Sequence, residues 1–202
     1  MPAPTPELQT ALAEVLDKID AVLRSNPAAV GSPLTMYLAG GLAVNYHCGS
    51  RYTGDIDASF SHRVLLPNEE LAANYTRANG EKSFIYFDAN YNPAFALMHP
   101  DYQQDSVEWE GIGNERRLVQ LRVLSPIDLA VSKVSRFSEQ DREDILELAR
   151  VGLVTASDLR ARAAEALEYY VGNMTTVRRN LDDIVREVAA IRPKEKCDPP
   201  DI

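Results

Sequence analysis

The sequence predicts an α/β fold of the α+β kind, with a mixed sheet in a first part over residues 1–124 and a helical part over 125–192. Three observations lead there. Apolar runs of strand length recur before residue 125, at 36–39, 83–87, 107–110 and 118–124. From Ser125 onward the apolar residues recur at helical spacing instead. Between the first two runs, residues 36–60 read MYLAGGLAVNYHCGSRYTGDIDASF: a strand, a Gly-Gly turn, a short helix and a second strand. A chain of 202 residues holds one such core and a small helical appendage.

In chain order, Thr5-Pro6-Glu7 is a helix start with Pro at the first helical position. Leu8, Leu12, Val15, Leu16, Ile19, Val22 and Leu23 follow at helical spacing, and 26–33 is a linker of small residues and turn formers. After the strand at 36–39, residues 42–47 form a helix stopped near Gly49. A strand then runs from Asp55 to Phe60. Residues 68–78 read as a helix ended by Asn79-Gly80, and 90–100, rich in Asn, Pro and aromatic residues, carries no assignment. Ser125-Pro126-Ile127-Asp128 caps a helix expected to run through Phe137. Ser138 caps a second, Thr155 and Ser157 precede a third, and residues 174–191 form a fourth. The charged, proline-bearing tail, 193–202, reads as disordered.

Acidic residues outnumber basic ones by 30 to 21, for a net charge of −9. That disfavours broad binding along nucleic-acid backbones, which relies on Lys and Arg, and leaves room for a local basic cleft. Cys48 and Cys197 are the only cysteines and, with three histidines, show no metal-ligand spacing. No signal peptide or long apolar span is visible, so a cytoplasmic location and no membrane partner are expected.

The chemistry gathers in the 36–60 stretch. Side chains at i and i+2 of a strand share a face, so Asp55 and Asp57 project together while Ile56 enters the core. Two adjacent carboxylates repel unless a divalent cation lies between them, and magnesium is often held by one or two carboxylates plus phosphates. Gly40-Gly41 lets backbone amides approach an anion, at a helix N-terminus that favours negative charge. Arg51 and Thr53, just before the carboxylates, are candidates to meet a phosphate. The competing reading is a surface acidic strand after a glycine turn.

This arrangement resembles the polymerase-β-like nucleotidyltransferase superfamily, whose pattern is Gly-Gly or Gly-Ser followed by Asp-x-Asp between apolar residues. The later segment SPIDLAVSKVSRFSEQDRED, residues 125–144, is similar to downstream motifs of AbiEii-like nucleotidyltransferases. These include toxins of type IV toxin–antitoxin systems, and they have small uncharacterised relatives. The resemblance implies a minimal nucleotidyltransferase core that moves NMP from an NTP to an acceptor hydroxyl, with Mg2+ or Mn2+ held by Asp55 and Asp57. It implies that Lys133 and Asp144 belong to the catalytic set, with Lys133 on the cleft side holding triphosphate and contributing little to folding. It also implies a third carboxylate from a neighbouring strand, for which Glu108 is preferred over Glu110. The acceptor would be an RNA such as a tRNA end, with a cognate antitoxin as partner. A small-molecule or protein acceptor, or an inactive binding module of this fold, are the alternatives.

Overall fold

The computed structural model describes residues 4–25, 33–49, 52–67 and 70–191. Helix α1 (Pro6–Ser25) buries Leu8, Leu12, Val15, Leu16, Ile19 and Leu23 along one stripe, which packs on two sheets. Each such leucine taken from water contributes about 2 kcal/mol. The linker expected at 26–33 lies outside the described residues except for Pro33, and the expected tail lies wholly outside them.

Strands β1 (Leu34–Leu38), β3 (Ala58–Phe60), β6 (Val107–Glu108) and β7 (Val119–Val123) make one sheet in the order β3-β1-β7-β6. β1 and β7 are parallel and the other pairs antiparallel. Strands β2 (Asp55–Ile56), β4 (Ala72–Thr76) and β5 (Lys82–Phe87) make a second, in the order β2-β5-β4. β2 and β5 are parallel, β4 and β5 antiparallel. Helix α2 (Gly40–Cys48) joins β1 to β2. The mixed sheet character therefore holds, divided over two sheets.

The one strand expected over 55–60 is two short ones. The chain leaves the second sheet after Ile56 and joins the first at Ala58, so Asp57 is the joint. Two backbone bonds flank that joint: the Ala39 amide donates to the Asp57 carbonyl at 2.8 Å, and the Asp88 amide to the Ile56 carbonyl at 3.1 Å.

The helix expected over 68–78 is not there. Residues 68 and 69 lie outside the described set, and 72–76 is strand β4. Leu71, Ala73 and Tyr75 are buried while Asn74 and Thr76 are exposed, which is a period of two, not 3.6. Asn79-Gly80 closes a hairpin to β5 rather than a helix: Gly80 has φ +83° and the Arg77 amide donates to the Glu81 carbonyl at 2.9 Å. In the unassigned 90–100 region a short 3₁₀ turn, Pro93–Phe95, is capped by Asn92.

The helical part comprises α3 (Pro126–Lys133), α4 (Glu139–Arg150), α5 (Ala156–Leu167) and α6 (Met174–Ala190). Ser125, Ser138, Thr155 and Asn173 each accept a backbone amide as N-caps. Helix α3 ends four residues short of the expected Phe137, which takes φ +50° and lets Ser138 start α4. Helices α3 and α4 pack on α2, and one continuous apolar core runs through both parts of the chain. No helix among the described residues is long and apolar enough to cross a membrane.

Asp128, 1% exposed, is gripped by Arg162 of α5 through two bonds of 2.8 and 2.9 Å. Arg162 keeps Asp105 as a partner at 2.5 Å, so removing Asp128 loses two charge-assisted bonds and not the whole pairing. Asp128→Ala should lower the unfolding free energy by about 3 kcal/mol in urea denaturation; a loss below about 1 kcal/mol, the worth of a surface pair, would show that this contact does not fasten α5 to α3.

Candidate active site

Asp57 occupies the joint between the sheets, and its surroundings follow from strand register. Asp55 pairs with Tyr86 and Ile56 with Phe87 in the parallel β2–β5 ladder. One step further along the same register sets Asp57 beside Asp88. Ile56 is fully buried while both aspartates beside it are half-buried, as the alternation Asp55-Ile56-Asp57 requires. The Tyr86 hydroxyl bonds to Asp55, and the Asn90 amide donates to Asp88 Oδ1 at 2.8 Å.

Gly40 sits against Asp57. Its φ is +59°, and a Cβ built on it would fall 1.8 Å from Asp57 Oδ2. The space a side chain would fill is the space the carboxylate occupies. Gly40 is also the first residue of α2, whose Ala39 cap offers no side-chain acceptor, so the amide end of the helix is uncapped beside the acid. Gly41 is buried within α2.

Gly40, Asp57 and Asp88 form one wall of a cavity of about 420 Å³, with Tyr91, Lys133 and Arg136 among its other lining residues. Lys133 is 5% exposed; its Nζ lies 2.7 Å from Asp144 Oδ2 and 3.5 Å from Asp141 Oδ1. It is therefore a buried, paired lysine at the cavity wall, and the expectation that it contributes little to folding is corrected. Arg136 grips Asp141 through two bonds of 2.6 Å, the bidentate geometry that suits guanidinium and carboxylate. Asp141 also closes the capping box with Ser138. Burial pushes its carboxyl up, but the bonds from Arg136 and Ser138 and the charges of Lys133 and Arg136 outweigh it and hold the group at about 2. Asp144 accepts from Gln140 Nε2 at 3.0 Å as well as pairing with Lys133.

Asp57 moves the other way. Burial, then the charges of Asp88 and Asp55, push its carboxyl above the ordinary aspartate range, against the opposing pull of Lys133 and Arg136. Both cations are also paired with acids of α4, Arg136 with Asp141 and Lys133 with Asp141 and Asp144. Carboxylates crowded at a half-buried point fit a divalent cation. Among the described residues no three His, Cys, Asp or Glu side chains enclose a metal position by themselves. Magnesium suits such an open set, since it completes its shell with phosphate oxygens and water.

Other expected residues lie apart. Glu108 lines a different cavity, of about 540 Å³, with Asp17, Asp20 and Trp109. It stands on the two-residue edge strand β6 and accepts from Asn114 Nδ2 at 3.4 Å. Glu110 is exposed beyond that strand. The register of β5, not of β6, delivers an acid to Asp57. Thr53 does not line the cavity; its hydroxyl accepts the Asp55 amide at 3.3 Å and so shapes the entry to β2. Arg51 lies outside the described residues. His47 donates through Nε2 to the Leu124 carbonyl at 2.8 Å, and burial lowers its pKa, so it ties α2 to the end of β7 as a neutral ring.

Sequence reasoning missed Asp88, although a signal was present: it directly follows the apolar run 83–87 in the phase of Phe84 and Tyr86. Tyr91, from the unassigned region, was missed for want of any periodicity.

A search of curated proteins gives no match. A family model described as a nucleotidyltransferase of unknown function, DUF6036, matches residues 10–189. With the cavity, its acids and its cations all inside that span, the chain belongs to this nucleotidyltransferase family.

Proposed function

We propose that this chain moves a nucleoside monophosphate from an NTP to an acceptor hydroxyl, in the manner of polymerase-β-like enzymes, with magnesium or manganese as cofactor. The observation that carries the reading is the meeting of Asp57, Asp88 and Gly40 in one cavity with Lys133 and Arg136. Acids suited to a cation and cations suited to phosphate share a space in the range that small-molecule ligands occupy.

Asp57 and Asp88 would hold the ion from one side of the cavity, with phosphate oxygens and water completing its shell. When bound, it would neutralise charge on the phosphates and lower the pKa of the acceptor hydroxyl. Lys133 and Arg136 draw the β- and γ-phosphates, and the uncapped amides at Gly40 donate to a phosphate oxygen. The acceptor oxygen attacks the α-phosphorus, the bond from that phosphorus to the bridging oxygen breaks, and pyrophosphate leaves. The proton of the hydroxyl passes to a carboxylate, and Asp88, held by the Asn90 amide, is the acid we assign to it. Asp144 is a positioning residue that acts through Lys133.

Two outcomes test this. A carboxyl whose folded-state pKa lies above its unfolded value stabilises the fold when protonated, and that contribution is lost as pH rises through the folded value. Above that value and without a cation, ionised Asp57 therefore opposes folding. Asp57→Asn should raise the Tm in metal-free buffer, and magnesium should raise the Tm of the wild type but not of the variant. Calorimetry should show magnesium-dependent NTP binding in the wild type only. Equal responses to magnesium in the two proteins would remove the metal site.

Lys133→Met should weaken NTP binding at least tenfold and also lower the Tm, because it strands buried acids. Adding Asp144→Leu should return part of the Tm and none of the affinity. Unchanged NTP affinity in a folded Lys133→Met protein would make Lys133 a structural residue alone.

A further inference from the structure

The β2-β5-β4 sheet has one covered face and one open face. Ala73, Tyr75 and Ile85 are buried on the covered side, where α1 packs. On the other, Asn74, Thr76, Lys82 and two large aromatic residues lie in the open. Phe84 is 55% exposed and Tyr86 39%. Their rings stack, with centroids 5.9 Å apart and planes inclined by 26°. Gly54 runs beside them: its carbonyl accepts the Tyr86 amide at 2.8 Å. Tyr52, also 55% exposed, lies under the Arg77 guanidinium at 4.7 Å.

The aromatic pair is not a stray patch. Phe84, Tyr86 and Asp88 follow one another at two-residue intervals, and side chains at that interval share a face. The row of rings therefore runs straight to the acid beside Asp57. The Tyr86 hydroxyl faces Asp55, which sets the nearer ring beside the same carboxylate group. We infer that this open face is the acceptor platform: the 3′ end of a single-stranded nucleic acid lays its last bases on Tyr86 and Phe84 and presents its terminal hydroxyl to Asp57 and Asp88. This rests on the transferase reading of the cavity. The product is the strand extended by one nucleotide, with pyrophosphate released.

The dimensions select the acceptor. Phe84 stands about 13 Å from Asp88 along the strand, four residues at about 3.3 Å each. An acceptor that reaches both must extend past one sugar ring and carry flat surfaces along its length, as consecutive nucleotides do. Asn74 pairs with Phe84 across the β4–β5 ladder and offers an amide beside the ring for base edges. Lys82 stands exposed toward the hairpin end, for the backbone. Stacking holds bases of any sequence.

The test is fluorescence anisotropy with 5′-labelled single-stranded oligonucleotides of ten residues, RNA and DNA, on the full chain. Wild type should bind, and Phe84→Ala should bind about tenfold more weakly, the loss expected for one stacked base. Phe84→Trp should bind at least as well as wild type. Magnesium-dependent NTP binding, measured by calorimetry on the same samples, should be the same in all three. Equal oligonucleotide affinity in wild type and Phe84→Ala would overturn the platform, as would a wild type that binds NTP and no oligonucleotide. Absence of NTP binding from the wild type would instead overturn the transferase reading on which the platform rests.

Discussion

The arrangement of this site depends on one close approach. The Asp57 carboxylate rests where Gly40 would carry a Cβ. Strand β1 ends, the chain turns through a left-handed glycine into α2, and the joint between two sheets lies against that turn. The Ala39 amide bonded to the Asp57 carbonyl fixes the distance between turn and joint. Any side chain at residue 40 would displace the acid, and a positive φ there would strain it as well. The end of a strand, the start of a helix and a carboxylate are thereby held at one point, which becomes one wall of the cavity.

Around that point the charges are arranged so that they do not cancel. Lys133 and Arg136 approach the cavity, yet Asp141 and Asp144 hold them, and Asp57 remains above its ordinary range. The two supporting aspartates come from α4, whose start is fixed by the Ser138 capping box and by the left-handed Phe137 before it. The helical part thus does more than cover the sheets: it delivers both cations and fixes their direction.

Much of this was legible in the sequence. Gly40, Asp55 and Asp57 stand out because glycine freedom and strand alternation are local rules. The caps at Ser125, Ser138 and Thr155 are local as well. What was not legible depends on pairing between distant segments. The segment 72–76, AANYT, carries no β-branched apolar residue and reads as helix until β5 gives it a partner. Glu108 satisfied the pattern of an acid between apolar residues, but β6 pairs at the far edge of the other sheet. Asp88 comes to Asp57 only through the parallel register of β2 and β5. The burial of Lys133 escaped notice because an eight-residue helix presents too little periodicity to say which side faces the core.

The most direct measurement is a crystal structure with manganese and a non-hydrolysable NTP analogue. Anomalous scattering locates the ion without assumption about the ligands. The account predicts an anomalous peak within coordination distance of Asp57 and Asp88, with the triphosphate between the Gly40 turn and Lys133. Nucleotide bound away from this cavity, or a metal held by Glu108 with none at Asp57, would contradict it.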